Sequence, residues 1–500
     1  MPMFPPISLE ILVLALGFIL LLAESFSNST NKRGLAHIAI FCLGWIFAIS
    51  FFTASAPATV APGSYWNFYS GDGVSLVFKR IALLTTIGVL VLALDYEAAL
   101  AKLLPSAHVG AGTGEFYILP LFTCAGLMLM ASAVDLVMAF AALELVTISF
   151  YVLVAYARRS HASLEAGVKY LILGALSTGF IVYGVTWIFG LTGETHFTKV
   201  AEKLAHLRGD DTAILFAFLL ILVGLGFKVA AVPFQSWVPD VYEGAPTPVT
   251  AFLSVGSKAA GFLLFLRVLE PFLGVHSILP KVLQVLALVA GATLIFGNLA
   301  AMPQNSLKRL LAYSSIGHAG YLLTAIACIG AGGGLLLGVG ATVGYYLFAY
   351  MLMTLLAFAV LTLVSVNSKG EDIQHFNGLS KRSPFLAFAM VVAMSSLAGV
   401  PLTAGFYGKF LVFAQIIQAH HWVLLSLGVI TVGAGFYYYF RVVAAMYWHD
   451  PQETAPISVA PLSKITISLL IASIFYFGIN PNPVLSALRT SAPSVAAAAH

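Results

Sequence analysis

Hydrophobic positions along this chain come in long unbroken runs. They do not show the alternation of a half-buried strand or the one-sided stripe of a helix lying on a soluble core. A helix needs about 20 apolar residues to cross the hydrocarbon of a bilayer. By that criterion the first half predicts spans near 8–24, 36–55, 76–94, 116–132, 134–156, 166–190 and 213–235. The second half predicts 246–268, 280–300, 309–330, 335–366, 385–418, 422–447 and 462–480, fourteen spans in all. The run at 385–418 is too long for one straight crossing and contains Pro401. No charged or turn-rich loop divides it, so a broken helix is expected rather than two crossings. The seventh span carries a similar liability in "GFKVAAVPFQSWVPD", where Pro233 follows Lys228 by five residues.

Composition agrees with a bilayer. The 500 residues are 60% hydrophobic and 9% charged, against roughly 25% charged in soluble domains. A net charge of +4 is dispersed, and no basic cluster points to nucleic acid. Cys42, Cys124 and Cys328 lie far apart, without the spacing of a metal or iron–sulfur site, and read as small buried hydrophobes. "MPMFPPISLE" lacks a positive stretch, so the first run is expected to be a retained span rather than a cleaved signal.

Sorting the loops by Lys and Arg gives orientation. Odd-numbered loops hold twelve, among them Lys369, Lys381 and Arg382; even-numbered loops and the C-terminal tail hold eight, among them Lys79, Arg80 and Arg267. The bias places both termini outside. "NST" at 28–30 matches a glycosylation sequon in a loop expected inside, and is read as chance.

Four lysines remain, and all fall within spans: Lys169, Lys228, Lys258 and Lys409. Glu144, in "AFAALELVTISF", is the clearest carboxylate at mid-span depth. A charge at the bilayer centre costs about 2.5–3.5 kcal/mol on insertion scales, so such residues read as functional unless they can reach the interface. Lys169, four residues after Glu165 near its span's start, could snorkel; Lys228, Lys258 and Lys409 are flanked by apolar residues on both sides. A buried lysine beside a carboxylate keeps its proton and releases it when the carboxylate's influence withdraws, which suits a proton relay. His318, in "SSIGHAGY", could extend that line.

The segments "GFKVAAVPFQSW" and "AGVPLTAGFYGKF" each combine a Val-Pro break with a lysine, five spans apart. "ISFYVL" and "GHAGYLL" give a weaker parallel at the same offset. A repeat with an odd number of spans inserts its second copy upside down, the inverted arrangement of transporters whose broken helices mark a midplane pathway. Other chemistry is absent: "GFYGKF" lacks the spacing of a phosphate loop, "GAGGG" at 330–334 follows no strand, and no dinucleotide, haem or nucleophile motif occurs.

The stretch "KVAAVPFQSWVPDVYEGAPTPVTAFLSVGSKAAGF" closely resembles the antiporter-like membrane subunits of NADH:quinone oxidoreductase, respiratory complex I. The resemblance extends over nearly the whole chain. It implies an all-α polytopic fold of about fourteen transmembrane helices, with two inverted five-helix repeats and broken helices 7 and 12. The pattern is most similar to the N type: Lys258 stands where the L and M types usually have histidine, and Lys409 where the M type has glutamate. No long lateral helix of the L type is expected after the last span.

The resemblance also implies roles. Glu144 would modulate the charge on Lys228, Lys228 would load a proton, Lys258 with His318 would relay it, and Lys409 would release it or couple to a neighbour. Lys169 would face Glu144 or its surroundings, and Pro233 and Pro401 would mark the helix breaks. No cofactor is expected in this chain; NADH, FMN, iron–sulfur clusters and quinone are expected in partner subunits. The expected partners are other membrane-arm subunits of complex I and the lipid bilayer, with no nucleic acid. The expected units are 1–115 (helices 1–3), 116–270 (first repeat), 271–450 (second repeat) and 451–500 (last helix and tail), in a bacterial inner membrane. The alternative is a subunit of a multi-subunit cation/proton antiporter.

Overall fold

The computed structural model describes residues 4–27, 31–54, 67–104, 113–207, 209–329, 338–368, 370–451, 453 and 455–489. The sequon at 28–30, the glycine run at 330–334 and Lys369 lie outside them. The described residues form helices with no strand, only isolated bridge pairs such as Tyr69–Ala133 and Asp135–His196.

Thirteen helices among the described residues are long and apolar enough to cross a membrane. The first seven are Ser8–Phe26, Arg33–Phe52, Gly73–Leu103, Gly114–Ser132, Leu136–Val154, His161–Thr192 and Asp211–Val229. Thr247–Leu273, Leu279–Ala301, Leu307–Ala327 and Val339–Asn367 are the eighth to eleventh; Trp422–Trp448 and Pro461–Ile479 come last. The twelfth crossing is made by two shorter helices, Pro384–Ala398 and Ala404–Gln418, as the long proline-containing run predicts. Polar residues fix the helix starts: Asp72 accepts from the Ser75 amide, Asp135 from Val137 and Met138, Ser160 from Ser163, and Ser306 from Arg309. Two short helices, Phe197–His206 and Asn482–Arg489, are additions that span reading does not detect, because each is shorter than a crossing.

Burial separates core from lipid face. The most apolar stretch of Thr247–Leu273 is wholly buried and that of Leu307–Ala327 is 94% buried, whereas only 17% of Pro461–Ile479 is. With no water to receive a stray backbone group in hydrocarbon, each break must be satisfied internally. At the seventh helix Ala230 turns left-handed (φ 65°), and the chain resumes as a helix at Trp237–Gly244. There the Val232 amide donates to the Thr293 hydroxyl (3.0 Å), and the Trp237 indole donates to the Phe227 carbonyl (3.0 Å). At the twelfth helix Gly399 (φ 92°) and Leu402 (φ 70°) take left-handed backbone on either side of Pro401 and interrupt the helix. A Cβ on Gly405 would sit 1.9 Å from the Ser396 carbonyl oxygen, so the restart of that helix requires glycine.

Among the basic residues read from sequence as loop residues, Lys79 and Arg267 prove to be buried well inside helices. Lys79 is 0% exposed in the third helix and pairs with Glu10 at 2.8 Å, with Tyr69 also bonded to its ammonium. Arg267, in the eighth helix, pairs with Asp72 at 2.8 Å. These pairs tie the third helix to the first and to the eighth. Sequence reading missed them because each basic residue sits within a turn or two of a helix end.

Candidate functional site

Lys228 lies one residue before the end of its helix and is 5% exposed. Its ammonium donates to the Thr147 hydroxyl on the fifth helix at 2.5 Å. Glu144 sits one turn from Thr147 on the same helix and accepts from Thr178 on the sixth helix at 2.8 Å. The two charged groups therefore do not form a direct ion pair; the lysine of the expected pair is instead held by Thr147, one turn from Glu144.

The stem of Lys228 packs over Gly261 of the eighth helix, where a Cβ would stand 3.5 Å from the lysine Cγ. Lys258 precedes Gly261 by three residues, nearly one turn, and follows a π-helical segment, Leu253–Ser257. Lys258 is 3% exposed; its ammonium bonds both the carbonyl and the hydroxyl of Ser315 and lies 5.3 Å from the centre of the Tyr350 ring. Tyr242 reaches the same hydroxyl at 3.2 Å, and Ser254 bonds the Tyr350 hydroxyl at 2.9 Å.

From Ser315 the line continues on the next residue. Ser314 shares a short hydrogen bond with Tyr439, whose hydroxyl lies 3.1 Å from His318 Nε2. The other ring nitrogen of His318 meets Tyr346 at 2.7 Å. Tyr346 stacks against Tyr321, and the Lys409 ammonium lies 5.2 Å from the Tyr321 ring centre. Lys409 donates to the carbonyls of Leu397 (2.9 Å) and Ala398 (2.8 Å), which the Pro401 break leaves free. The structure thus brings Lys258, His318 and Lys409 onto one line of hydroxyls, imidazole and aromatic rings.

Lys169 does not join that line. Its side chain is 40% exposed and its ammonium pairs with Glu165 (2.7 Å) and Asp240 (2.6 Å), so it faces the rim and not Glu144. Arg309 completes the rim cluster through Asp240 and Glu243. The tyrosines were the residues that sequence reasoning passed over. Clusters such as "GYYLFAY" and "GFYYYF" place several hydroxyls inside spans, and that was the available signal. Among the described residues no group of three His, Cys, Asp or Glu side chains could hold a metal.

A family model described as the transmembrane part of NADH:quinone oxidoreductase and Mrp antiporters matches residues 133–435, which contain every lysine, histidine and glutamate of this line. Subunit N of NADH-quinone oxidoreductase from Moorella thermoacetica is 38% identical over 488 residues, 97% of this chain and 98% of that protein. The chain belongs to the subunit N family. Subunit N from Desulforamulus reducens is 35% identical and covers 98% of both chains. A chain of respiratory complex I from Thermus thermophilus superposes on this member of the subunit N family with a TM-score of 0.79, at 33% identity, over 97% of this chain and 100% of that one. A chain of the Mrp complex from Dietzia reaches 0.79 at only 19% identity, which shows a shared fold.

Proposed function

We propose that the chain is a membrane-arm subunit of a proton-pumping NADH:quinone oxidoreductase and moves protons through its Glu–Lys–Tyr–His line. Electron transfer from NADH through FMN and iron–sulfur clusters to quinone belongs to partner subunits. The observation that carries this reading is the buried line itself: lysines, hydroxyls and an imidazole at hydrogen-bonding or ring-contact distance between two broken helices. Buried lysines without a carboxylate in contact are costly to keep charged, so a conformational change in their surroundings can load or unload them.

In this reading Glu144 sets the charge state of Lys228 through the intervening Thr147. Lys228 takes the proton, Lys258 and His318 pass it along the midplane, and Lys409 hands it on. Lys169 guards the rim and takes no part in the transfer. The protein sits in a bacterial inner membrane with both termini outside, as the basic bias of the odd-numbered loops indicates.

Affinity purification through a tag on this chain tests the proposal. Flavin- and iron–sulfur-containing subunits should co-purify, and NADH should drive proton uptake into vesicles containing the complex. Sodium-dependent proton exchange by the chain without those subunits would replace this reading with that of a cation/proton antiporter. A single cysteine near residue 200, labelled in intact cells by an impermeant thiol reagent while one near 370 is not, would support the orientation; the reverse would overturn it.

A further inference from the structure

The line described above begins at the half-buried Glu144 and the buried Lys228, and so far has no route to water from the rim. The sixth helix supplies one. Tyr170, Gly174 and Thr178 follow one another at intervals of four residues and so share a face. That face meets the fifth helix, where Tyr151 and Glu144 lie seven residues apart, about two turns. Thr178 donates to Glu144 at the deep end. One turn outward, the Tyr151 hydroxyl occupies a notch over Gly174, where a Cβ would stand only 2.2 Å from it. One turn further, the Tyr170 ring lies 5.2 Å from that of Tyr151 and 4.9 Å from Trp237, the first residue after the helix break. Lys169 precedes Tyr170 and carries the ladder to the rim, where it meets Glu165 and Asp240.

The hydroxyls of Tyr151 and Tyr170 are both buried with no partner in the protein, and Tyr170 is fully enclosed. Buried hydroxyls are rarely left unsatisfied; where side chains do not serve them, ordered water does. Two such groups, one turn apart, between an exposed ionic rim and the half-buried Glu144 carboxylate, are the polar lining that a short water file needs.

We infer that Tyr151 and Tyr170, with the notch at Gly174, line the path by which protons reach Glu144 and Lys228 from the face carrying Lys169 and Asp240. Each hydroxyl accepts a proton from water on its rim side as it gives its own to the next water inward, so neither tyrosine ends charged. The last water delivers to Glu144 or to the Lys228 amine. The notch holds the Tyr151 hydroxyl within the file. The inference rests on the relay proposed above and specifies how that relay is supplied.

The test uses the assembled complex in vesicles, with NADH-driven pumping and quinone reduction measured from acid to alkaline pH. Tyr151→Phe and Tyr170→Phe keep both rings and should assemble normally. Each should pump several-fold less, with the deficit largest at alkaline pH, where protons are scarce, and partly relieved at acid pH. Gly174→Ala, which displaces the Tyr151 hydroxyl without removing it, should reproduce the Tyr151→Phe profile. A purely structural role would give no pH-dependent deficit in the Phe variants. Parent-like pumping in both Phe variants at every pH, with normal assembly, would overturn the path, and the Phe variants decide even if Gly174→Ala fails to assemble. Lys228→Met run in parallel separates the two levels. If it is inactive while the Phe variants are normal, only the path fails; if it pumps normally, the underlying relay fails.

Discussion

In the seventh helix the lysine comes before the break and the proline after it; in the twelfth, Pro401 comes first and Lys409 follows eight residues later. The first break is satisfied without its lysine: Thr293 takes the Val232 amide and Trp237 serves the Phe227 carbonyl. Lys228 is therefore free to lean on another helix, where it finds Thr147, one turn from Glu144. The second break uses its lysine as the cap. Lys409 bonds the last carbonyls of Pro384–Ala398, the end where the helix dipole is negative. One lysine is held by a threonine hydroxyl with a carboxylate one turn away on the same helix, the other by backbone dipoles that are fixed unless the break itself moves. Under the proposed function, the same pairing of lysine and broken helix would serve control at one site and anchoring at the other.

The most damaging way to probe that difference is Lys228→Met. The methionine keeps an unbranched stem of similar length and leaves no break unsatisfied, so assembly should stay near normal. Pumping should fall by roughly a hundredfold or more if the amine is an obligatory proton carrier. Lys228→Arg should be impaired as well, because guanidinium does not give up its proton. Normal pumping in Lys228→Met, with complex content matched by immunoblot, would remove the site from the pathway.

Lys409→Met should also lose pumping, but with a second defect that the first variant lacks. Leu397 and Ala398 would keep buried carbonyls without their donor, at about 1–3 kcal/mol each. Lower complex abundance and a lower thermal midpoint should accompany the loss of activity. Equal stability of the two methionine variants would mean that the twelfth-helix break is satisfied by something other than the lysine.

Both lysines and both prolines were legible in the sequence, because a charge or an imino acid inside an apolar run has few inexpensive explanations. The break at the twelfth helix was legible from length as well. The side of the break on which each lysine acts was not, since it depends on which neighbour satisfies the freed backbone. Thr293 is 61 residues from Val232, a partnership that no local pattern encodes. Tyr346, Tyr439 and Tyr321 were hidden for another reason: a tyrosine in an apolar run reads equally well as an interfacial or packing residue, and only neighbours across helices show its hydroxyl in a network. For Lys169 the sequence left open whether it reaches the interface, because depth along a span does not reveal which way a long side chain bends. It bends to Asp240 at the rim.

Glu144→Gln sharpens the comparison at the control site. The amide can still receive the Thr178 hydroxyl, so local structure should survive, but the negative charge that opposes desolvation of Lys228 disappears. Pumping should drop several-fold, most strongly at alkaline pH, and Lys409 should be unaffected because no carboxylate contacts it. Glu144→Asp should be milder. A pH-independent deficit would argue for a packing role of Glu144 and against control by charge.

The smallest effect is expected from Thr147→Val, which tests whether the hydroxyl or the carboxylate does most to hold Lys228. Valine matches threonine in shape, so packing on the fifth helix should be kept; the acceptor of the 2.5 Å bond is lost, together with a donation to the Leu143 carbonyl that already serves its own helix. A hydrogen bond to a charged group contributes about 1.5–3 kcal/mol, but the flexible lysine can recover part of that by swinging toward Glu144, one turn away on the same helix. Pumping should therefore fall modestly, by less than in Glu144→Gln, and the double variant should be worse than either alone. Double-mutant analysis of pumping rates measures the coupling directly. If Thr147→Val is as damaging as Lys228→Met while Glu144→Gln is mild, the hydroxyl governs the site, and the carboxylate's control over the first lysine, on which the contrast with Lys409 depends, is wrong.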